Sequence, residues 1–187
     1  AIKKVGYSGL LERVLIPLIK AVGDAWHNGN VTAAEEHAAT SFIKEYLNVR
    51  GRSFSHEENA PMIVVSTPTG QLHELGAVIA SSQARKIGWR VLYLGPSLPA
   101  DEIAGAVEKV AADAVLLSVV YPADDPLMNS QFERLRKQLG PGTPIIVGGN
   151  ASSGYLRSLK KINALHLDSL TQLTKELSRI RQANAEK

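Results

Sequence analysis

The chain has 187 residues, a formal net charge of +3, 44% hydrophobic and 21% charged residues, and no cysteine. This is the composition of a folded globular protein rather than a disordered one, and it excludes disulfides, thiolate metal sites and cysteine nucleophiles. The charge is too small and scattered for nucleic-acid binding by this chain itself, and the absence of a signal-peptide pattern or a membrane-length apolar run leads to the expectation of a cytoplasmic protein without a membrane partner.

From Ser8, Leu10, Leu11, Val14, Leu15, Leu18, Ile19, Val22 and Trp26 recur at helical spacing, with Ser8 available as N-cap. Pro17 falls inside that pattern and is expected to kink the helix or reset its start. His27-Asn28-Gly29-Asn30 supplies a C-cap glycine and a turn, and a second helix runs from about Thr32 through Ala34, His37, Ala38, Ser41, Phe42 and Tyr46. Two helices cannot bury both apolar faces alone, and the chain opens at Ala1 without a methionine. This reads as part of a helical bundle whose upstream portion lies outside the chain. The stretch from Val49 to Pro61 is polar and aperiodic, which places a linker over about 51–61 between a helical unit over 1–50 and a domain over 62–187.

Strands are predicted at Met62–Ser66, Val91–Leu94, Ala114–Ser118, Ile145–Val147 and Ala164–Leu167. Helices alternate with them at about Glu74–Ile87, Ala100–Val110, Pro126–Leu139, Ser152–Lys160 and Ser169–Ala183. The alternation defines an α/β fold with a flavodoxin-like, doubly wound, five-stranded parallel sheet. Such sheets bind ligands at the carboxyl ends of their strands, where the strand order reverses.

Three strand ends carry unusual residues. After the first comes a long polar loop, with Gln71-Leu72-His73-Glu74-Leu75-Gly76 leading into a helix. A lone histidine there would be ordinary. The third strand, however, runs out in Ser118-Val119-Val120, a small hydroxyl where the sheet opens. The fourth ends in Gly148-Gly149-Asn150, where two glycines let something bulky approach the backbone. Together these segments resemble the three-part signature of the Rossmann-like B12-binding domain, which holds cobalamin base-off and histidine-on. The resemblance implies His73 as the lower axial ligand to cobalt, and a channel for the dimethylbenzimidazole tail lined by the Ser118–Val120 and Gly148–Asn150 regions. Neutral imidazole suits cobalt. The family usually has Asp two residues before the histidine; Gln71 stands there and brings no charge to raise the imidazole's basicity.

Trp26, with Glu36 ten residues later and His37 eleven later, resembles the bundle of adenosylcobalamin-dependent photoreceptor regulators related to MerR transcription factors. That resemblance implies helices over the upper face of the corrin, enclosing the adenosyl group. It implies a light sensor rather than an enzyme, a homo-oligomer (dimer or tetramer), and DNA binding through an upstream domain absent from this chain. His27 would then be a second axial ligand after photolysis, or otherwise a helix-terminal histidine facing the dipole. The competing expectation is a corrinoid carrier of a methyltransferase system holding methylcobalamin, with hydroxocobalamin a further form. A receiver domain is set aside, because the third strand ends in Ser118-Val119-Val120 and not in Asp. Glu35 is expected to point away from Glu36. Trp89 and Tyr93 are assigned to packing, His56 and His166 to linker and strand end, and Arg85, Lys86 and Arg90 to solvated surface.

Overall fold

Apolar runs and turn signals translate closely into elements in the computed structural model, which describes residues 2–185. The chain divides after Ser53 into two compact units.

In the first, α1 (Ile2–Leu10) passes through a π-helical turn (Leu11–Leu15) into α2 (Ile16–His27). Pro17 sits in the first turn of α2, directly after the π-helical turn, and the backbone stays helical through Leu15 and Ile16, so the helix does not restart there. Ser8 lies inside α1, two residues past the break at Gly6. Gly29 closes α2 at φ 72°, with the Gly29 and Asn30 amides donating back to Trp26 and Ala25. Helix α3 (Ala33–Arg52) opens on a capping box: the Glu35 amide donates to Thr32 Oγ1, and the Thr32 amide donates to the Glu35 carboxylate at 2.7 Å. These bonds from Thr32 hold the Glu35 carboxyl below its ordinary range and turn it away from Glu36. Helices α2 and α3 pack on each other. The linker boundary needs correcting: α3 continues to Arg52, so the residues Val49–Arg52 are helical and the irregular stretch starts at Ser53.

The second unit holds β1 (Met62–Ser66), α4 (Leu75–Lys86), β2 (Arg90–Tyr93), α5 (Ala100–Lys109), β3 (Ala114–Ser118), α6 (Met128–Leu139), β4 (Ile145–Gly148), a 3₁₀ turn (Ser152–Tyr155), α7 (Leu156–Lys161), β5 (Leu165–His166) and α8 (Leu170–Ala185). The strands form one sheet in the order β2-β1-β3-β4-β5, and every pairing is parallel. The near-continuous apolar runs of β1, β3 and β4 follow from burial on both faces. Ile103, Val107, Met128, Phe132, Leu135 and Leu159 pack with Val64, Val115, Leu117 and Val147 in one core. Helices α4 and α8 pack together, with Leu173, Leu177 and Ile180 of α8 buried. The predicted helix over Ser152–Lys160 is two pieces, the 3₁₀ turn and α7.

Strand order fixes where a ligand can enter. From β1 the chain crosses to β2 on one side, whereas from β3 it continues to β4 on the other, so the strand order reverses between β1 and β3, the place where such sheets take ligands. Register sets Ser66 beside Leu117 and Ser118 beside Gly148, which brings the ends of β1, β3 and β4 to one edge.

Candidate cobalamin site

The loop from Thr67 to Glu74 leaves β1 at that edge and is held from several directions. Thr67 Oγ1 donates to the Gln71 carbonyl and accepts from the Ser97 amide at 2.8 Å. The Gly70 amide donates to Ser97 Oγ at 3.0 Å. Gln131 on α6 pairs with Thr69 as a strand would, accepting from its amide at 3.0 Å and donating to its carbonyl at 3.3 Å. The loop is long yet fixed, as a loop presenting a ligand must be.

His73 and Leu72 stand exposed on this loop, and the His73 ring meets Tyr121 edge-on, with centroids 6.4 Å apart and planes at 86°. Gln71 is turned the other way. It is fully buried, and its Oε1 accepts from the Val120 amide at 2.8 Å and the Tyr121 amide at 3.1 Å. The amide that replaces the family's carboxylate thus binds the loop after β3, not the imidazole. Glu74, the next residue along, accepts from the Tyr93 hydroxyl at the end of β2. Burial and the Glu74 carboxylate push the Tyr93 phenol well above its ordinary range, so it stays a donor. Tyr93 therefore does more than pack, whereas Trp89 is core, 1% exposed.

Ser118 is buried at the end of β3, and its Oγ has no hydrogen-bond partner among the described residues. A Cβ on Gly76 would lie 2.7 Å from that oxygen, so any other residue there would force the hydroxyl to turn aside. Gly149 has φ 104°, and a Cβ there would meet the Val119 carbonyl at 2.4 Å; at Gly148 it would meet the Leu167 carbonyl at 3.0 Å. The expectation that this pair admits something bulky needs refining: what approaches Gly149 is the protein's own backbone. Asn150 follows on the exposed surface, and Val120 is partly buried.

Some supports had no signal in the sequence. Tyr155 holds the loop after β3 by donating to the Pro122 carbonyl at 3.0 Å and accepting from the Asp125 amide at 2.8 Å. Ser152 Oγ donates to the Gly149 carbonyl at 2.6 Å and lies 2.9 Å from His166 Nε2. With that hydroxyl proton committed to Gly149, His166 donates to Ser152 from Nε2. His166 thus braces the glycine turn, a role its strand-end position alone did not announce. His56 is the exposed linker residue expected.

In the helical unit, Trp26 lies in the last turn of α2 at 49% exposure, and His27 ends that helix, exposed. Glu36, in the first turn of α3, accepts from Thr40 Oγ1 at 2.7 Å. Its other oxygen lies 3.0 Å from His37 Nδ1, which is also 2.7 Å from the Ala33 carbonyl. Trp26, Glu36 and His37 flank the same short turn between α2 and α3.

The donor set fits a cobalt corrinoid. Among the described residues no cluster of three or more His, Cys, Asp or Glu is placed to hold a bare metal ion. A metal at His73 must bring its other ligands with it, as a macrocycle does. The buried Ser118 hydroxyl still has a hydrogen bond to give, and the glycines leave the strand ends free of side chains.

Sheet order and this edge define a cobalamin-binding α/β protein. The chain belongs to the B12 binding domain family, which it matches over residues 61–165, with a second B12 binding domain match over residues 3–50. It is similar to the HTH-type transcriptional repressors CarA (27% identical over 90% of this chain) and CarH (31% over 83%) of Myxococcus xanthus. It spans 57% and 52% of their respective lengths, little more than half. A corrinoid protein of Desulfitobacterium hafniense (strain Y51) is 24% identical over 74% of this chain and 67% of its own length. The fold matches a cobalamin-binding protein from Desulfitobacterium hafniense DCB-2 at a TM-score of 0.55, with 19% identity over 91% of this chain and 89% of that one.

Proposed function

We propose that the chain is the cobalamin-sensing part of a light-responsive transcriptional repressor, binding adenosylcobalamin base-off with His73 as lower axial ligand. The exposed His73 on the loop after β1, together with the unspent Ser118 hydroxyl at the end of β3, carries the reading of the cofactor. Similarity to CarA and CarH over most of this chain supports the regulatory role. Bound adenosylcobalamin supplies a light-cleavable cobalt–carbon bond. His73 would hold the lower face, Ser118 Oγ would donate to the nucleotide tail, and Gly76, Gly148, Gly149 and Asn150 belong to the strand-end segments that would run beside that tail. Leu72, Glu74 and Val120 line the same edge, and Gln71 holds its loop. Trp26, Glu36 and His37 are the residues of the helical unit assigned to the adenosyl group. His27 is the proposed second axial ligand after illumination, and His27→Ala is expected to alter the photoproduct spectrum. Assembly state and DNA binding of the whole protein would follow the bound form as a population shift.

The similarity to a corrinoid protein favours a second reading, a methyl carrier. Adenosylcobalamin and methylcobalamin are titrated in the dark, and spectrum and mass are measured before and after illumination. Tighter binding of the adenosyl form with a light-dependent change of mass is expected. Equal affinity and an unchanged mass would favour the carrier. A parent protein that binds no cobalamin would end both readings.

A further inference from the structure

We propose that Tyr121 and Gln71 together set the orientation of the His73 imidazole, an aromatic contact taking the place of a carboxylate partner. The inference rests on His73 being the cobalt ligand. Three observations join here. The Tyr121 ring meets the imidazole at 6.4 Å and 86°, an edge-to-face geometry that ring quadrupoles favour. The Tyr121 amide is fixed by Gln71 Oε1 at 3.1 Å, with the neighbouring Val120 amide fixed at 2.8 Å by the same oxygen. And Gln71 is itself fully buried, on the same loop as His73 and two residues before it.

The chain of contact therefore runs from Gln71 to the backbone of Tyr121, and from the Tyr121 ring back to His73. An imidazole on an exposed loop turns about two side-chain torsions, and binding must freeze both. A ring that limits those torsions beforehand removes part of that entropic cost. A carboxylate accepting from the imidazole N–H would restrict the ring and also raise its basicity; the tyrosine ring restricts it without adding charge. Tyr121 is thus a positioning residue. Its partner Gln71 acts at one remove, by keeping the loop after β3 against the histidine loop. Pro122 and Asp125, held by Tyr155, fix the far side of that loop.

The test compares the full chain with Tyr121→Phe, Tyr121→Leu, Gln71→Leu and His73→Ala. His73 ring-proton resonances are read by NMR without cofactor, and hydroxocobalamin affinity is read by absorbance titration. Tyr121 is 68% exposed, so its substitution leaves the core intact. Tyr121→Phe is expected to keep both the resonances and the affinity. Tyr121→Leu should move the resonances and weaken hydroxocobalamin about tenfold, the low end for an outer-shell partner of a metal ligand. Gln71→Leu should move the resonances the same way, with faster hydrogen exchange at the Tyr121 amide; if that variant does not fold, the two Tyr121 variants decide. Unmoved resonances in Tyr121→Leu would overturn the proposal whatever its affinity, and so would a Tyr121→Phe that behaves like Tyr121→Leu. If His73→Ala binds hydroxocobalamin with the parent's affinity and spectrum, the ligand assignment itself falls, and the proposal with it.

Discussion

At the scale of single residues, Ser118 is the most diagnostic side chain of the edge. A buried hydroxyl without a partner costs folding free energy, because it has left water and gained no bond. Ser118→Ala removes that penalty, so the cofactor-free protein is expected to be as stable as the parent or more stable by about 1 kcal/mol. If Ser118 donates to the nucleotide tail, the same substitution weakens cobalamin by about tenfold, the equivalent of roughly 1.4 kcal/mol. Thermal denaturation without cofactor, paired with a cobalamin titration, reads both effects. A destabilised variant with parental affinity would mean that the hydroxyl serves the fold alone. Ser118 and His73 were legible in the sequence because each stands where a strand or loop meets the sheet edge. The inward turn of Gln71 was not. It depends on two amides some fifty residues away, and only the β1–β3 pairing brings them near.

Among the elements, the glycine turn after β4 separates steric necessity from ligand contact. Gly149 combines a positive φ with a Cβ position only 2.4 Å from a backbone oxygen, which no side-chain rotation relieves. Gly149→Ala is therefore expected to cost about 3 kcal/mol in denaturant unfolding. Gly76→Ala meets only a serine hydroxyl, which can turn aside, and it gains helix propensity in the first turn of α4. Its stability should stay within about 1 kcal/mol of the parent. The link between α5 and α6 adds a pH dependence. Arg134, bonded to the Asp101 carboxylate, holds that group below its ordinary value of 3.8, with Gln138 assisting. A depressed folded-state pKa contributes stability above the unfolded value and loses it as pH falls through the folded one. The parent should therefore lose a little more stability than Asp101→Asn between about pH 5 and about pH 3; parallel melting curves over that range would refute the coupling. Strands β1 and β3 were readable to the residue because burial on both faces writes itself as continuous apolar runs. The last turn of α3 was not, since Arg50 and Arg52 are exposed there and carry no apolar period. Polarity without periodicity looks like a linker whether the backbone is helical or not.

For the whole molecule, the helical unit poses a question that the sheet unit does not. None of the residues of α2 is buried, and Val14, Ile16, Leu18, Trp26, Phe42 and Val49 are exposed at 40–70%. Apolar side chains at this density commonly mark an interaction surface, and the sequence already showed two helices with more apolar face than they can cover. Under the proposed function that surface serves assembly of a dimer or tetramer. The chain with adenosylcobalamin in the dark is then expected to run at a multiple of its 20.1 kDa mass, and to change mass on illumination. Phe42, at 70% exposure, separates assembly from cofactor binding. Phe42→Asp places a charge where contact must be apolar and should lower the assembled mass while leaving the dark cobalamin spectrum as in the parent. His73→Ala should remove both the spectrum and the light response. Light scattering coupled to size exclusion, with absorbance recorded on the same peak, reads both properties at once. A mass near 20.1 kDa with and without adenosylcobalamin, in darkness and in light, would detach cofactor binding from assembly and leave the carrier reading the stronger.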